Sequence, residues 1–206
     1  MSMKPLTKNE LREYFQVYRD AFPEWEADVP YSLSRTCGPI TQVIGFQNLS
    51  YGAYRLMCGV EVSGPPDGGS FVLPQMLDVK HRNIERRQHL TKWPKVLRAI
   101  EEQIVPDVRM PLEIVEVFQL AEEEAERGAN GRYLNGVAAL SVYVGQYDRA
   151  IEWCNQAEAS FSEFEKAIPC PEWMLIQRDF TNRLREAIKN GTGLEFLAIT
   201  SDQRQS

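Results

Sequence analysis

Histidine occurs only twice in this chain of 206 residues, at positions 81 and 89, and that scarcity removes most imidazole-based chemistry at the outset. On one helix the two rings would stand ~12 Å apart at ~1.5 Å rise per residue, too far to share a zinc ion, so surface positions are expected for both. The four cysteines, Cys37, Cys58, Cys154 and Cys170, form no Cys-x-x-Cys pair and show no regular spacing, which argues against a disulfide frame or a zinc knuckle and for reduced thiols. Cys37 beside Gly38-Pro39 would need a base close in space to act as a nucleophile, and an incidental thiol is the simpler reading. Apolar runs stop short of the ~20 residues that a membrane span requires, and the opening "MSMKPLTKNELREYF" lacks the layout of a signal peptide; a cytoplasmic protein is expected. The GxSxG, HExxH, GxxxxGK[ST] and GxGxxG patterns are all missing. No catalytic residue, metal ligand or cofactor is therefore assigned.

What the chain has is apolar material and acid. Hydrophobic residues make up 43% of it, enough for one sizeable core, and a single domain over 1–206 is expected, with sub-lobes at 1–78 and 79–206. Residues 1–105 carry 13 basic and 12 acidic side chains, whereas 106–206 carry 10 and 17, so the net charge of −6 belongs to the second half. An acidic surface disfavours nucleic acid and anionic membranes, because phosphate affinity is built from clustered Lys and Arg. One basic run, Lys80, Arg82, Arg86, Arg87, Lys92, Lys95 and Arg98, points the other way. It is read as a solvated helix face, or as a partner for the acidic run "EEEAE" at 122–126.

The periodicity predicts an α+β protein. Leu11, Tyr14, Phe15, Tyr18 and Phe22 fall on one side of a helix that opens with a Thr7/Glu10 capping box. "YSLSRT" can form a short strand. In "GPITQVIGFQNLSYGAYRLMCGVEV", Ile40, Gln42, Ile44 and Phe46 share one strand face, and Tyr54, Leu56, Cys58, Val60 and Val62 share another across a turn. "SFVLPQML" adds a further strand, giving an antiparallel meander of three or four strands. Gln47 and Arg55 fall on its wetter face, where polar residues need no catalytic explanation. A lobe of four to five helices follows. The first begins in the basic run and carries Val96, Leu97, Ile100 and Ile104 as its stripe; the second runs from Pro111 to near Gly128 with Leu112, Val115, Phe118 and Leu120 on its apolar side. A last helix from Pro171 to Asn190 carries Met174, Gln177, Phe180, Leu184 and Ile188, and "GLEFLAIT" adds a short strand or a docked tail.

Two resemblances sharpen this reading. In "LNGVAALSVYVGQYDRAIEWCNQAEASF", Gly145, Tyr147, Ala150, Ile151 and Ala157 resemble one tetratricopeptide hairpin, which implies two antiparallel helices at about 134–160 with the tyrosine packed at the corner. No second copy stands at a fixed period. Arg35, Ile40, Gln42, Ile44 and Gln47, following a helix that ends "YRDAFPEW", resemble a group of small bacterial proteins, several of them immunity proteins of polymorphic or secreted toxin systems. That likeness runs over roughly residues 8–100. It implies a protein that neutralises a cognate toxin by complex formation.

An acidic patch suits a basic toxin, since opposite potentials speed encounter. Glu122, Glu123, Glu124 and Glu126 are the first candidate contacts and Gln47 and Arg55 the second. Carboxylates near a helix C-terminus oppose its dipole, so the run is not placed there for local stability. Two alternatives stand beside this one. A small-ligand protein or enzyme would turn Gln42, Arg55 and Cys37 into a pocket between sheet and helices; a helical-hairpin adaptor would expose an apolar groove near Tyr147 and Trp153.

Overall fold

The capping box forms as its sequence predicts: Thr7 accepts from the Glu10 amide at 3.3 Å, and the Glu10 carboxylate accepts from the Thr7 amide at 2.8 Å, opening helix α1 (Lys8–Ala21). Leu11, Phe15 and Tyr18 are buried on its inner side, with Phe22 at its C-cap. The computed structural model describes residues 4–28, 31–66, 70–78, 80, 83–167 and 170–202.

After α1 the chain forms an antiparallel series of strands, β1 (Glu26–Asp28), β2 (Ser32–Cys37), β3 (Ile40–Leu49), β4 (Ala53–Val62) and β5 (Ser70–Gln75), neighbours in that order. The four longer strands are the expected meander, and β1 extends it. A sixth strand, β6 (Asn83–Glu85), pairs antiparallel with β4, matching Tyr54 to Ile84 and Arg55 to Asn83. The reading of 83–88 as part of a helix is corrected here: Ile84 is wholly buried in a strand, 86–88 form a 3-10 turn, and the helix α2 (His89–Gln103) follows them. His81 lies outside the described residues. Burial on β3 and β4 follows the alternation, with Ile40, Gln42 and Ile44 inside and Tyr54, Leu56, Cys58, Val60 and Val62 inside opposite them.

Five further helices follow: α3 (Ile114–Glu126), α4 (Gly131–Tyr143), α5 (Tyr147–Ala167), α6 (Glu172–Lys189) and α7 (Gly193–Asp202). "GLEFLAIT" is thus helix rather than strand or tail, and Leu197 is its wholly buried residue. In α3 the buried side is Val117, Phe118, Ala121 and Ala125; Val115 is 53% exposed, because a face centred on these four positions leaves it about 105° away at ~100° per residue. In α6 the buried set includes Met174, Gln177, Phe180, Leu184 and Ile188, as the spacing predicts.

The chain separates into two compact units. One comprises residues 1–36, 41–59 and 74–112; the other comprises 37–40, 60–73 and 113–206. The first has its core between α1, α2 and the inner sheet face, where Tyr18, Phe22, Leu33, Ile44, Tyr54, Ile84 and Ile100 are fully buried. The second is the helical one. Its α4–α5 and α6–α7 connections share one backbone geometry. Gly145 at φ 76° sends its amide to the Val142 carbonyl, with Gln146 N donating to Ser141 O at 2.8 Å; Gly191 at φ 74° repeats this with Ile188, with Thr192 N donating to Ala187 O at 2.8 Å. Both are Schellman caps, in which a left-handed glycine closes the helix and frees the chain to reverse. Two helical hairpins therefore turn alike, 46 positions apart, although the sequence between the turns does not repeat visibly. Tyr147 does not pack at the corner but is 45% exposed, since the small Ala150 and Ala157 already let the helices close.

Candidate functional site

The polar residues of the β2–β3 motif are bound into the fold. Arg35 is half-buried on β2 and donates through Nε to Gln42 Oε1 at 2.8 Å, through Nη2 to the Asp107 carbonyl at 2.7 Å, and through Nη1 to the Met110 carbonyl. Its guanidinium lies 5.1 Å from the Trp25 ring centroid. Gln42 is fully buried and donates from Nε2 to the Pro106 carbonyl at 2.7 Å. Gln75 on β5 receives the Val105 amide at 2.9 Å. Three sheet residues thus hold the loop after α2, where the backbone carbonyls have no helical N–H to accept from. Arg35→Lys keeps the charge but loses the planar fork, and is expected to lower the unfolding free energy by about 2 kcal/mol in urea titrations. A stability unchanged by this substitution would free Arg35 for a binding role.

The other candidates fall separately. Gln47 is exposed on β3, and Arg55 is half-buried with its Nε on Asn83 Oδ1 at 3.0 Å. Cys37 is exposed, and the four cysteines are free thiols. Burial pushes the Cys58 and Cys154 thiols up to about 12, so neither is a ready nucleophile.

The acidic run divides by helix face. Glu122 is half-buried, accepts from Arg149 Nε at 2.9 Å and from Trp153 Nε1 at 3.2 Å, and Arg149 lies 4.9 Å from the Trp153 centroid. Trp153 itself is 1% exposed, so it does not offer its ring to an exposed groove. Glu123, Glu124 and Glu126 are exposed on α3; Glu124 meets Arg127 at 2.8 Å, and Glu126 meets Arg149 at 3.5 Å. Among the described residues, Arg127 and Arg149 pair with this run, and Arg86 of the basic segment pairs with Glu10 at 2.7 Å.

His89 corrects a further expectation. It is 2% exposed rather than on the surface, stacked on Tyr14 at 4.0 Å between centroids. Its Nδ1 lies 2.9 Å from the Tyr54 hydroxyl, which in turn lies 3.2 Å from that of Tyr18. Burial pushes the imidazole down to about 4 and raises both phenols. In the tautomer whose Nδ1 carries no proton, Tyr54 donates to His89 and Tyr18 donates to Tyr54; in the other tautomer His89 donates to Tyr54. The sequence signals for this chain of bonds were Tyr18 on the apolar side of the first helix and Tyr54 on an inward strand face; nothing in the spacing joins residues 18, 54 and 89.

Two cavities are formed by described residues. One, of about 390 Å³, is lined by Arg19, Asp20, Pro23, Trp25 and Ala27, and the 4%-exposed Trp25 has its indole N–H unpartnered. The other, of about 300 Å³, lies in the helical unit and is lined by Asn130, Gly131, Arg132, Ser160, Phe161, Phe164 and Trp173. No group of three or more metal-ligating side chains occurs among the described residues, and no helix among them is long and apolar enough to cross a membrane. No known family model, curated protein or solved structure matches the chain.

Proposed function

We propose that this chain acts by binding another protein, as a cytoplasmic immunity protein that neutralises a cognate basic toxin by direct complex formation. The observation that carries the reading is the outward edge of α3. Glu123, Glu124 and Glu126 project from a seam of buried Ala121 and Ala125, at a helix end where carboxylates are unfavourable for the helix itself. Two nearby arginines offset part of this charge and leave the edge acidic. Such an edge steers a basic partner and sets its orientation without any reactive group. The resemblance at Arg35, Ile40, Gln42, Ile44 and Gln47 supplies the toxin; the scaffold role of Arg35 and Gln42 explains why such a protein would carry them.

The test is rescue and rate. Co-expression should restore growth to cells making the toxin encoded beside this chain. Changing Glu123, Glu124 and Glu126 together to lysine, with Glu122 left in place on Arg149, should cut the association rate at low salt by at least about tenfold and flatten its salt dependence. Unaltered rate and salt slope would refute the acidic edge, and failure to rescue would refute the immunity reading.

Small-molecule binding is a second reading with one observation behind it, the unpartnered indole N–H of Trp25 beside Arg19 and Asp20. A buried donor without an acceptor costs about 1–3 kcal/mol, which a ligand oxygen would recover.

A further inference from the structure

The 300 Å³ cavity of the helical unit has an apolar interior and a cationic rim, two properties that select one kind of occupant. Its floor is Phe161, 2% exposed, which lies so close to the first residue of α4 that a Cβ on Gly131 would come within 2.6 Å of the ring. The glycine therefore holds the floor in place. The wall is made by Phe164 of α5 and Trp173 of α6, meeting edge to face with centroids 6.0 Å apart. These two rings are 39% and 40% exposed, an unusual surface expense for large aromatics that touch each other. On the rim stands Arg132, exposed and without an ion pair among the described residues, in the first turn of α4, which contains no acidic residue. Asn130 caps only the Tyr133 amide, at 3.1 Å, so the positive end of the helix faces the same rim.

We infer that this cavity is a peptide-docking site for a partner segment in which an aromatic side chain is followed by an aspartate or glutamate: the ring enters against Phe161, Phe164 and Trp173, and the carboxylate meets Arg132 and the α4 amides. The occupant is fixed by charge complementarity. A basic segment would meet an unpaired guanidinium, and a purely apolar one would leave it unused. The inference rests on the protein-binding reading for its physiological source, while the site itself is tested without any partner.

The probes are three blocked dipeptides titrated into the full chain and followed by the Trp173 indole and the Gly131 and Arg132 amide resonances. Acetyl-Phe-Asp-amide should bind saturably, with a Kd of roughly a millimolar, as expected of about 20 heavy atoms in a shallow site. Acetyl-Phe-Asn-amide, its uncharged isostere, should bind about fivefold more weakly, and acetyl-Ala-Asp-amide should produce no saturable shift. Arg132→Gln should erase the preference for Asp over Asn while keeping the ring affinity, followed on the Trp173 and Gly131 resonances. Trp173→Ala, at a half-exposed position where folding is retained, should abolish both, followed at Gly131 and Arg132. The absence of saturable shifts at these residues, or equal binding of the Asp and Asn probes to the unmodified chain, overturns the site. Probe binding together with a failure of toxin rescue keeps the site and removes the toxin reading; rescue without probe binding does the reverse.

Discussion

Asn135→Ala is expected to lower the unfolding free energy by about 3 kcal/mol in urea titrations, the largest effect of any single change named for the helical unit. Asn135 on α4 is fully buried. Its Nδ2 donates to the Gln177 backbone carbonyl at 3.0 Å and to Gln177 Oε1 at 2.9 Å, and its Oδ1 accepts from the Thr181 hydroxyl at 2.7 Å. Truncation leaves a side-chain oxygen of α6 without this donor in a dry seam and opens a cavity beside it. Both costs arise because the surroundings relax only partly. The asymmetry of buried hydrogen bonds gives a sharper control. Removing both partners, in Asn135→Leu with Gln177→Met, should recover part of the loss, because no buried polar group of the pair is then left facing an apolar replacement. If the single change costs less than about 1 kcal/mol, the Asn135–Gln177 pair does not stabilise α4 against α6.

Acid should unfold the sheet unit through His89. Its imidazole is held neutral, with the folded pKa near 4 against 6.5 for the free side chain. Above pH ~6.5 neither state binds the proton and stability is flat. Between ~6.5 and ~4 the unfolded chain takes up a proton that the folded chain refuses, so stability falls as pH falls; below ~4 both are protonated and the loss is complete. By pH ~4.5 the deficit should reach about 2.5 kcal/mol. His89→Gln keeps an acceptor for the Tyr54 hydroxyl and removes the titration. The difference in unfolding free energy between pH ~7 and pH ~4.5 should therefore shrink by that amount in the variant. Glu10, whose carboxyl the Thr7 amide and hydroxyl hold below its usual range, loses its own contribution as pH drops through that lowered value, but does so equally in both proteins. An identical pH dependence in the two would show that His89 is not the acid-sensitive group.

These two residues also mark how far the sequence could be read. Alternation on β3 and β4, the Thr7 capping box and the stripe on α6 were legible because each is a local pattern imposed by a single buried face. β6 was not legible: three residues carry no period, and Ile84 became a strand residue only because β4 had an edge to offer it. α7 failed for a related reason. "GLEFLAIT" has β-branched and aromatic residues that suit a strand, yet the Schellman turn at Gly191 and the burial of Leu197 against Gly64 select helix. For the candidate sites the division is similar. The acidic run was visible as composition, but its partition into an inward Glu122 and an outward Glu123, Glu124 and Glu126 needed the phase of α3. Phe161, Phe164 and Trp173 gave no warning, because aromatics at helical spacing read as core until the neighbouring helix is known to leave them half uncovered.

The helical unit takes residues 37–40 and 60–73 from the sheet region as well as 113–206. During synthesis the β4–β5 connection emerges some fifty residues before α3, and Gly64 must then wait for Leu197, to which it lies too close to tolerate any side chain. The helical unit therefore cannot close until its C-terminal helix has been made, whereas all residues of the sheet unit precede position 113. A nick in the chain near residue 112 would sever neither unit from the other, since four earlier crossings, at 36/37, 40/41, 59/60 and 73/74, still tie them together.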